Sequence, residues 1–229
     1  EKYLNLNLKE NTVLFLGFDF RYTGNSRYLF ELMIKEPSDK TIYFATNDKA
    51  VDEKYRLEPK SVKFYEILAT AGVLIYESWT PLAFRKRLNS TWIQLWHGTP
   101  LKKMLFDSEE TEIITQRDNH KISKYTDIQK WDYLITDNSN INEYFETSFL
   151  FPKKKFIPCG YPRVKYLADN KDNEMLKNEI KEKYNISNGK EIVVYLPTWR
   201  DYNYGKTENF DNDYLLDTKL FQEKLGDKY

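Results

Sequence analysis

Short apolar runs alternate with amphipathic stretches along most of this chain, and that alternation leaves few folds open. Strand-like runs fall at residues 12–18, 41–45, 62–65, 73–77, 92–96, 133–136 and 156–158, with helix-like stretches at 26–35, 81–88, 100–105 and 140–149. The pattern predicts βαβ units, that is, an α/β fold built on a mostly parallel sheet with helices on both faces. Ligands of such sheets sit at the carboxyl ends of the strands, so the chemistry is expected at the βα junctions. Residues 19–26, Glu77-Ser78, 97–99 and 137–139 supply suitable polar groups at four of them.

Beyond residue 168 the pattern changes. A charged amphipathic helix is expected at 173–184, closed by a turn at 187–189, and a new buried strand at 191–196 leads into the loop 197–201. One more helix is expected at 217–225. The organisation predicted is a complete Rossmann-like domain over 1–168. Residues 169–229 then hold an interdomain helix and the incomplete start of a second Rossmann-like domain, as in part of a longer protein.

Composition removes several classes of function. Lys+Arg and Asp+Glu each number 35, so the net charge is zero and nothing global points to nucleic acid. A single cysteine, Cys159, excludes an internal disulfide framework and fits a reducing compartment. No Cys pair or H-E-x-x-H suggests a metal site, and neither a Walker loop nor a G-x-S-x-G elbow is present. The spacing of Gly17 and Gly24 is no dinucleotide fingerprint, so no cofactor is expected. No apolar stretch approaches the roughly 20 residues that span a bilayer.

The chain has two histidines, and they stand in different contexts. His97 follows the strand-like run 92–96 directly, where a neutral imidazole can act as a general base; the alternative is a local cap packed on Trp96. After it, Gly98 breaks the strand, Thr99 fits a helix N-cap and Pro100 fits the first helical position. Lys102 and Lys103 would then stand in the first helical turn, which disfavours cations unless an anion such as a phosphate arrives. His120 lies in a polar stretch and reads as a surface residue.

Other strand ends offer anion-binding groups with plainer alternatives. Asn25 and Arg27 either receive a phosphorylated ligand or belong to a helix cap. Arg163, in Gly160-Tyr-Pro-Arg163, binds an anion or anchors the interdomain crossover. Thr198 and Arg200 suit a pyrophosphate, or form a solvated loop. Lys153-Lys-Lys155 is a solvated face, or with Phe149, Phe151 and Phe156 touches anionic lipid headgroups.

Taken together, Asn25-Ser-Arg-Tyr-Leu-Phe-Glu31, Gln94-Leu-Trp-His-Gly-Thr-Pro-Leu-Lys-Lys103, Trp131-Asp-Tyr-Leu-Ile135, Gly160-Tyr-Pro-Arg163 and Leu196-Pro-Thr-Trp-Arg200 resemble the CDP-glycerol glycerophosphotransferase family. These are the teichoic-acid primases and polymerases of bacterial cell envelopes. The resemblance covers roughly residues 12–201 and implies a GT-B architecture, with the acceptor on the first domain and the cytidine nucleotide on the second.

The same resemblance implies transfer of glycerol phosphate or ribitol phosphate from CDP-glycerol or CDP-ribitol to a hydroxyl of a lipid-linked polyol-phosphate acceptor, releasing CMP. His97 would be the general base. Gly98, Thr99 and Lys102 would hold phosphate charge, and Thr198 and Arg200 would contact the donor diphosphate. A peripheral place at the cytoplasmic face of the cell membrane follows from the acceptor. The family's second functional histidine and its Ser-rich phosphate-binding segment do not occur here, so this stretch alone is expected to be inactive. Two other readings remain: a GT-B nucleotide-sugar glycosyltransferase, or a non-catalytic module binding anionic polymer if the natural chain ends at Tyr229.

Overall fold

The computed structural model describes residues 3, 5–109, 120–187, 189, 191–196 and 217–226. Residues 1–109 and 118–169 form one compact unit, and residues 170–229 belong to another. The first unit is built on seven parallel strands. These are β1 (Lys9–Leu16), β2 (Thr41–Ala45), β3 (Arg56–Leu57), β4 (Ala71–Tyr76), β5 (Thr91–Gln94), β6 (Tyr133–Thr136) and β7 (Phe156–Pro158), in the order β3-β2-β1-β4-β5-β6-β7. The chain winds outward from β1 to β3, returns to the centre at β4, and winds the other way, so β1 and β4 flank a topological switch point.

Alternate residues of the central strands feed two cores, which is how a parallel sheet buried on both faces is written. Leu14, Leu16, Leu74, Tyr76 and Trp92 join one cluster, while Val13, Phe15 and Ile75 join the other. The first cluster takes Phe64 and Ile67 from α2 (Val62–Thr70), Ile128 from α3 (His120–Ile128), and Phe145 and Phe149 from α4 (Asn142–Phe149). The second takes Phe30 from α1 (Gly24–Met33), and Tyr161, which precedes α5 (Pro162–Asn170). The α/β expectation therefore holds for this unit.

Several predicted elements are different. Residues 62–65, expected as a strand, open α2: the Ser61 hydroxyl accepts from the Phe64 amide at 3.1 Å, and Phe64 and Ile67, three positions apart, share its buried face. Helices expected at 81–88 and 100–105 do not form. In the first, Lys86 is drawn to Asp132 and Arg87 to the carbonyls of Leu6 and Ala69, while Leu88 is 98% exposed, so tertiary contacts decide the backbone. The second is too short to repay nucleation and would place two lysines at the positive end of a helix dipole. Instead the chain makes one 3-10 turn at Leu105–Asp107, with Leu105 left-handed at φ 40°.

In the second unit α6 (Glu174–Lys183) is capped by Asn173 and α7 (Thr218–Leu225) by Asp217. Residues 191–196, expected as a buried strand, are exposed and pair with no other strand; Leu196 is 85% exposed. An apolar run becomes a strand only where a neighbouring strand joins it in a hydrogen-bonded ladder, and, among the described residues, 191–196 belong to no such ladder. No helix among the described residues is long and apolar enough to cross a membrane.

Candidate active site

The carboxyl end of β5 presents His97 through a strained backbone. Trp96 is left-handed at φ 53°, a conformation costing about 1–3 kcal/mol in a non-glycine residue. Two buried amides hold it there. Gln94 accepts from the Trp96 amide at 3.0 Å and donates to the Ser78 carbonyl at 3.1 Å, while the Asn25 side chain donates to the Trp96 carbonyl at 2.9 Å. The indole of Trp96 is packed among Trp79, Phe145 and Phe149, and the His97 imidazole stacks on it at 4.2 Å between ring centres. Phe18, from the loop after β1, meets the imidazole edge-on at 6.3 Å.

His97 remains exposed, but its two nitrogens are not equivalent. Nδ1 lies 3.0 Å from the main-chain oxygen of Glu77, at the end of β4. A carbonyl can only accept, so the neutral ring carries its proton on Nδ1 and leaves the Nε2 lone pair free. Loss of solvation, seconded by the positive charge of Arg163, lowers the imidazole pKa below 6.5 against the opposing pull of the Glu77 carbonyl. The ring is thus neutral and basic near pH 7.

Glu77 places its carboxylate at the amino terminus of α1. It accepts from the backbone amides of Asn25 at 2.6 Å and Ser26 at 3.2 Å, so the positive end of that helix dipole is already matched by an internal anion. Burial raises the Glu77 pKa, while hydrogen bonds from the Ser26, Asn25 and Phe18 amides and the charge of Arg163 oppose that rise. Gly24 is left-handed at φ 69°, and a Cβ there would collide with the Glu77 carboxylate, so a side chain at this position is strained and must displace that carboxylate from the α1 amides. Glu77 was not among the predicted site residues, although its place after β4 marked the junction; a partner 52 residues away leaves no local signal.

The predicted ligand-binding residues fare unequally. Asn25 is fully buried and spends its amide on the protein: Nδ2 on the Trp96 carbonyl and Oδ1 on the Arg163 amide at 3.2 Å. It is a strut rather than a surface for substrate, a correction with a simple cause, since no polar atom of its side chain is left over. Arg27 is paired with Glu31 at 2.7 Å and rests against the rings of Tyr22 and Tyr28. Arg163 donates to the His97 carbonyl, which joins β5, α1 and α5 in one network around the imidazole.

Gly98 offers its carbonyl to the Tyr161 hydroxyl at 3.2 Å, and Thr99 is exposed. Lys102 is exposed beside a cavity of about 420 Å³ that Leu101, Asp107 and Tyr144 also line. Because no helix starts at Pro100, Lys102 faces no helix dipole, and the expected amide cradle at a helix start is absent from these residues. Thr198 and Arg200 lie outside the described residues. The lipid-facing reading of Lys153–Lys155 fails on its aromatic half, because Phe149, Phe151 and Phe156 are core residues and the Lys155 ammonium donates to the Trp131 carbonyl.

The model of the CDP-Glycerol:Poly(glycerophosphate) glycerophosphotransferase family matches residues 2–229. The chain belongs to this family. A teichoic acid poly(glycerol phosphate) polymerase of Bacillus spizizenii is 34% identical to it, over 96% of this chain and 58% of the relative. One of Bacillus subtilis is 32% identical over 97% of this chain and 30% of the relative. Among solved structures, a histidine-to-asparagine form of the wall teichoic acid polymerase TagF soaked with CDPG superposes with a TM-score of 0.85 at 26% identity, covering 98% of this chain and 56% of that one. The chain thus spans between about a third and three fifths of the length of these relatives. In this glycerophosphotransferase-family chain the His97 network lies wholly within the sheet-bearing unit.

Proposed function

We propose that the protein moves glycerol phosphate from CDP-glycerol to a terminal hydroxyl of a polyol-phosphate acceptor and releases CMP. The acceptor oxygen attacks the glycerol-bearing phosphorus, a new P–O bond forms as the bond to the CMP oxygen breaks, and the hydroxyl proton passes to Nε2 of His97. The observation that carries this reading is the tautomer set by the 3.0 Å contact between Nδ1 and the Glu77 carbonyl, which leaves a neutral, exposed base at a strand's carboxyl end. Family membership supplies the donor class, and both Bacillus relatives are named for poly(glycerol phosphate), which favours glycerol over ribitol.

Transfer of this kind relies on alignment and charge stabilisation as much as on the base. Gly98, Thr99 and Lys102 are assigned to the phosphate that develops charge near His97, and Thr198 with Arg200 to the donor diphosphate. A lipid-linked acceptor and a peripheral position at the cytoplasmic face of the membrane complete the proposal; they follow from the acceptor chemistry and not from any surface described above. The test is a full-length assay on a lipid-linked primer with CDP-glycerol, CDP-ribitol and UDP-sugars as competing donors. Transfer from CDP-glycerol alone or preferentially supports the reading, and transfer only from a UDP-sugar overturns it.

A further inference from the structure

A second feature at the carboxyl edge of the sheet adjoins His97. The loop after β1 closes tightly on itself: the Phe20 amide donates to the Gly17 carbonyl at 3.1 Å, the Arg21 amide donates to the Phe18 carbonyl at 2.9 Å, and Asp19 and Phe20 are successively left-handed. A Cβ on Gly17 would collide with the Arg21 carbonyl. Two left-handed residues without glycine persist only where the surroundings enforce them, and such strain gathers at functional sites. Here the loop walls an open cavity of about 650 Å³, lined by Asp19 and Arg21, by Thr46, Asn47 and Asp48 after β2, and by Lys60 before α2. Lys60 is itself left-handed at φ 62°.

Arg21 and Lys60 are exposed and form no ion pair with any described residue. The lining therefore offers two uncommitted cations beside the carboxylates of Asp19 and Asp48 and the exposed amide of Asn47, while the buried Thr46 hydroxyl accepts from the Asp48 amide at 3.2 Å. A purely cationic wall would take any polyanion. Cations mixed with carboxylates and amides match a ligand whose phosphates alternate with hydroxyl-bearing carbons, the phosphates meeting Arg21 and Lys60 and the hydroxyls donating to the carboxylates.

Position ties this cavity to His97. The same loop touches the imidazole with Phe18 and lines the cavity with the next residues, Asp19 to Arg21. Along the sheet the cavity sits over the ends of β1 and β2, two to three strands from β5. At the usual strand spacing that is roughly 10–14 Å. The cavity is thus within reach of the preceding repeats of a chain whose terminal hydroxyl lies at Nε2.

We infer that the cavity lined by Asp19, Arg21, Asp48 and Lys60 is a subsite for the penultimate repeats of a polyol-phosphate acceptor. This rests on the transferase reading for the identity of the chain, but binding at the subsite needs no turnover. The test is calorimetry on the full-length protein with glycerol 3-phosphate, a synthetic glycerol-phosphate trimer and inorganic triphosphate as probes, repeated for Arg21→Ala and Lys60→Asn. Asparagine tolerates the left-handed backbone at position 60, so neither change attacks the fold.

The trimer is expected to bind about tenfold more tightly than glycerol 3-phosphate, and each variant to lose most of that gain, with CDP-glycerol affinity unchanged. Equal affinity for trimer and monomer, unchanged trimer binding in both variants, or equal binding of triphosphate would overturn the subsite. If the trimer binds as expected but no donor supports transfer, the transferase reading fails and the subsite stands. If transfer proceeds while the variants keep wild-type acceptor affinity, the reverse holds.

Discussion

Nδ1 of His97 and the main-chain oxygen of Glu77 stand 3.0 Å apart, and this contact decides which nitrogen of the imidazole can take a proton. The carbonyl fixes the hydrogen on Nδ1, and loss of solvation, seconded by the Arg163 charge, holds the ring's pKa below 6.5. On the proposed role of His97 as the base, protonation removes its free lone pair and activity is lost as pH falls through the folded-state pKa. The acid limb of kcat/KM is therefore expected below the ordinary imidazole value of about 6.5. A pH profile of the full-length enzyme at saturating donor checks this; an acid limb above that value contradicts the tautomer and charge assignment.

Removing the buried strut has a separate signature. Asn25→Ala leaves the Trp96 carbonyl and the Arg163 amide without their partner. Each unsatisfied buried group costs about 1–3 kcal/mol, so with two groups a stability loss of at least about 2 kcal/mol is expected by urea denaturation. Since the same bond holds Trp96 left-handed, kcat should fall while the KM for CDP-glycerol stays close to wild type. A variant with raised KM and intact kcat would instead return Asn25 to substrate binding.

Gly24 and Glu77 are expected to fail together. Gly24→Ala forces a side chain into left-handed backbone at φ 69° and against the Glu77 carboxylate, and more than about 1 kcal/mol of stability should be lost. Glu77→Gln keeps the main-chain contact to His97 but removes the anion at the start of α1, with an expected loss of about 1–2 kcal/mol. Because both changes act on one contact, the double variant should lose less than the sum of the two. Strict additivity in a double-mutant cycle would contradict the close packing of Gly24 on Glu77.

Much of this architecture was legible in the residues, and the failures have physical causes. Six of the seven strands coincide with apolar runs, because strands buried on both faces are written as continuous hydrophobic stretches. β3 has two residues, too few to leave a pattern. The run at 62–65 reads as a strand but opens α2, because four apolar-rich residues fit either period and the Ser61 cap with the burial of Phe64 and Ile67 decides for the helix. His97, Asn25 and Arg163 were each singled out at separate strand ends, and the fold joins them through bonds spanning up to 138 residues. What the residue types did not reveal is direction: a buried Asn25 bonded to backbone and a solvent-facing ligand asparagine are the same letter. The left-handed turn at Trp96, which aims the imidazole, has no glycine to announce it.

The most direct measurement is turnover of full-length His97→Ala with CDP-glycerol and a lipid-linked polyol-phosphate primer. The account predicts a fall in kcat of about 10²- to 10⁴-fold, the range that a positioned general base supplies, with CDP-glycerol still bound. Near wild-type turnover in that variant would contradict it.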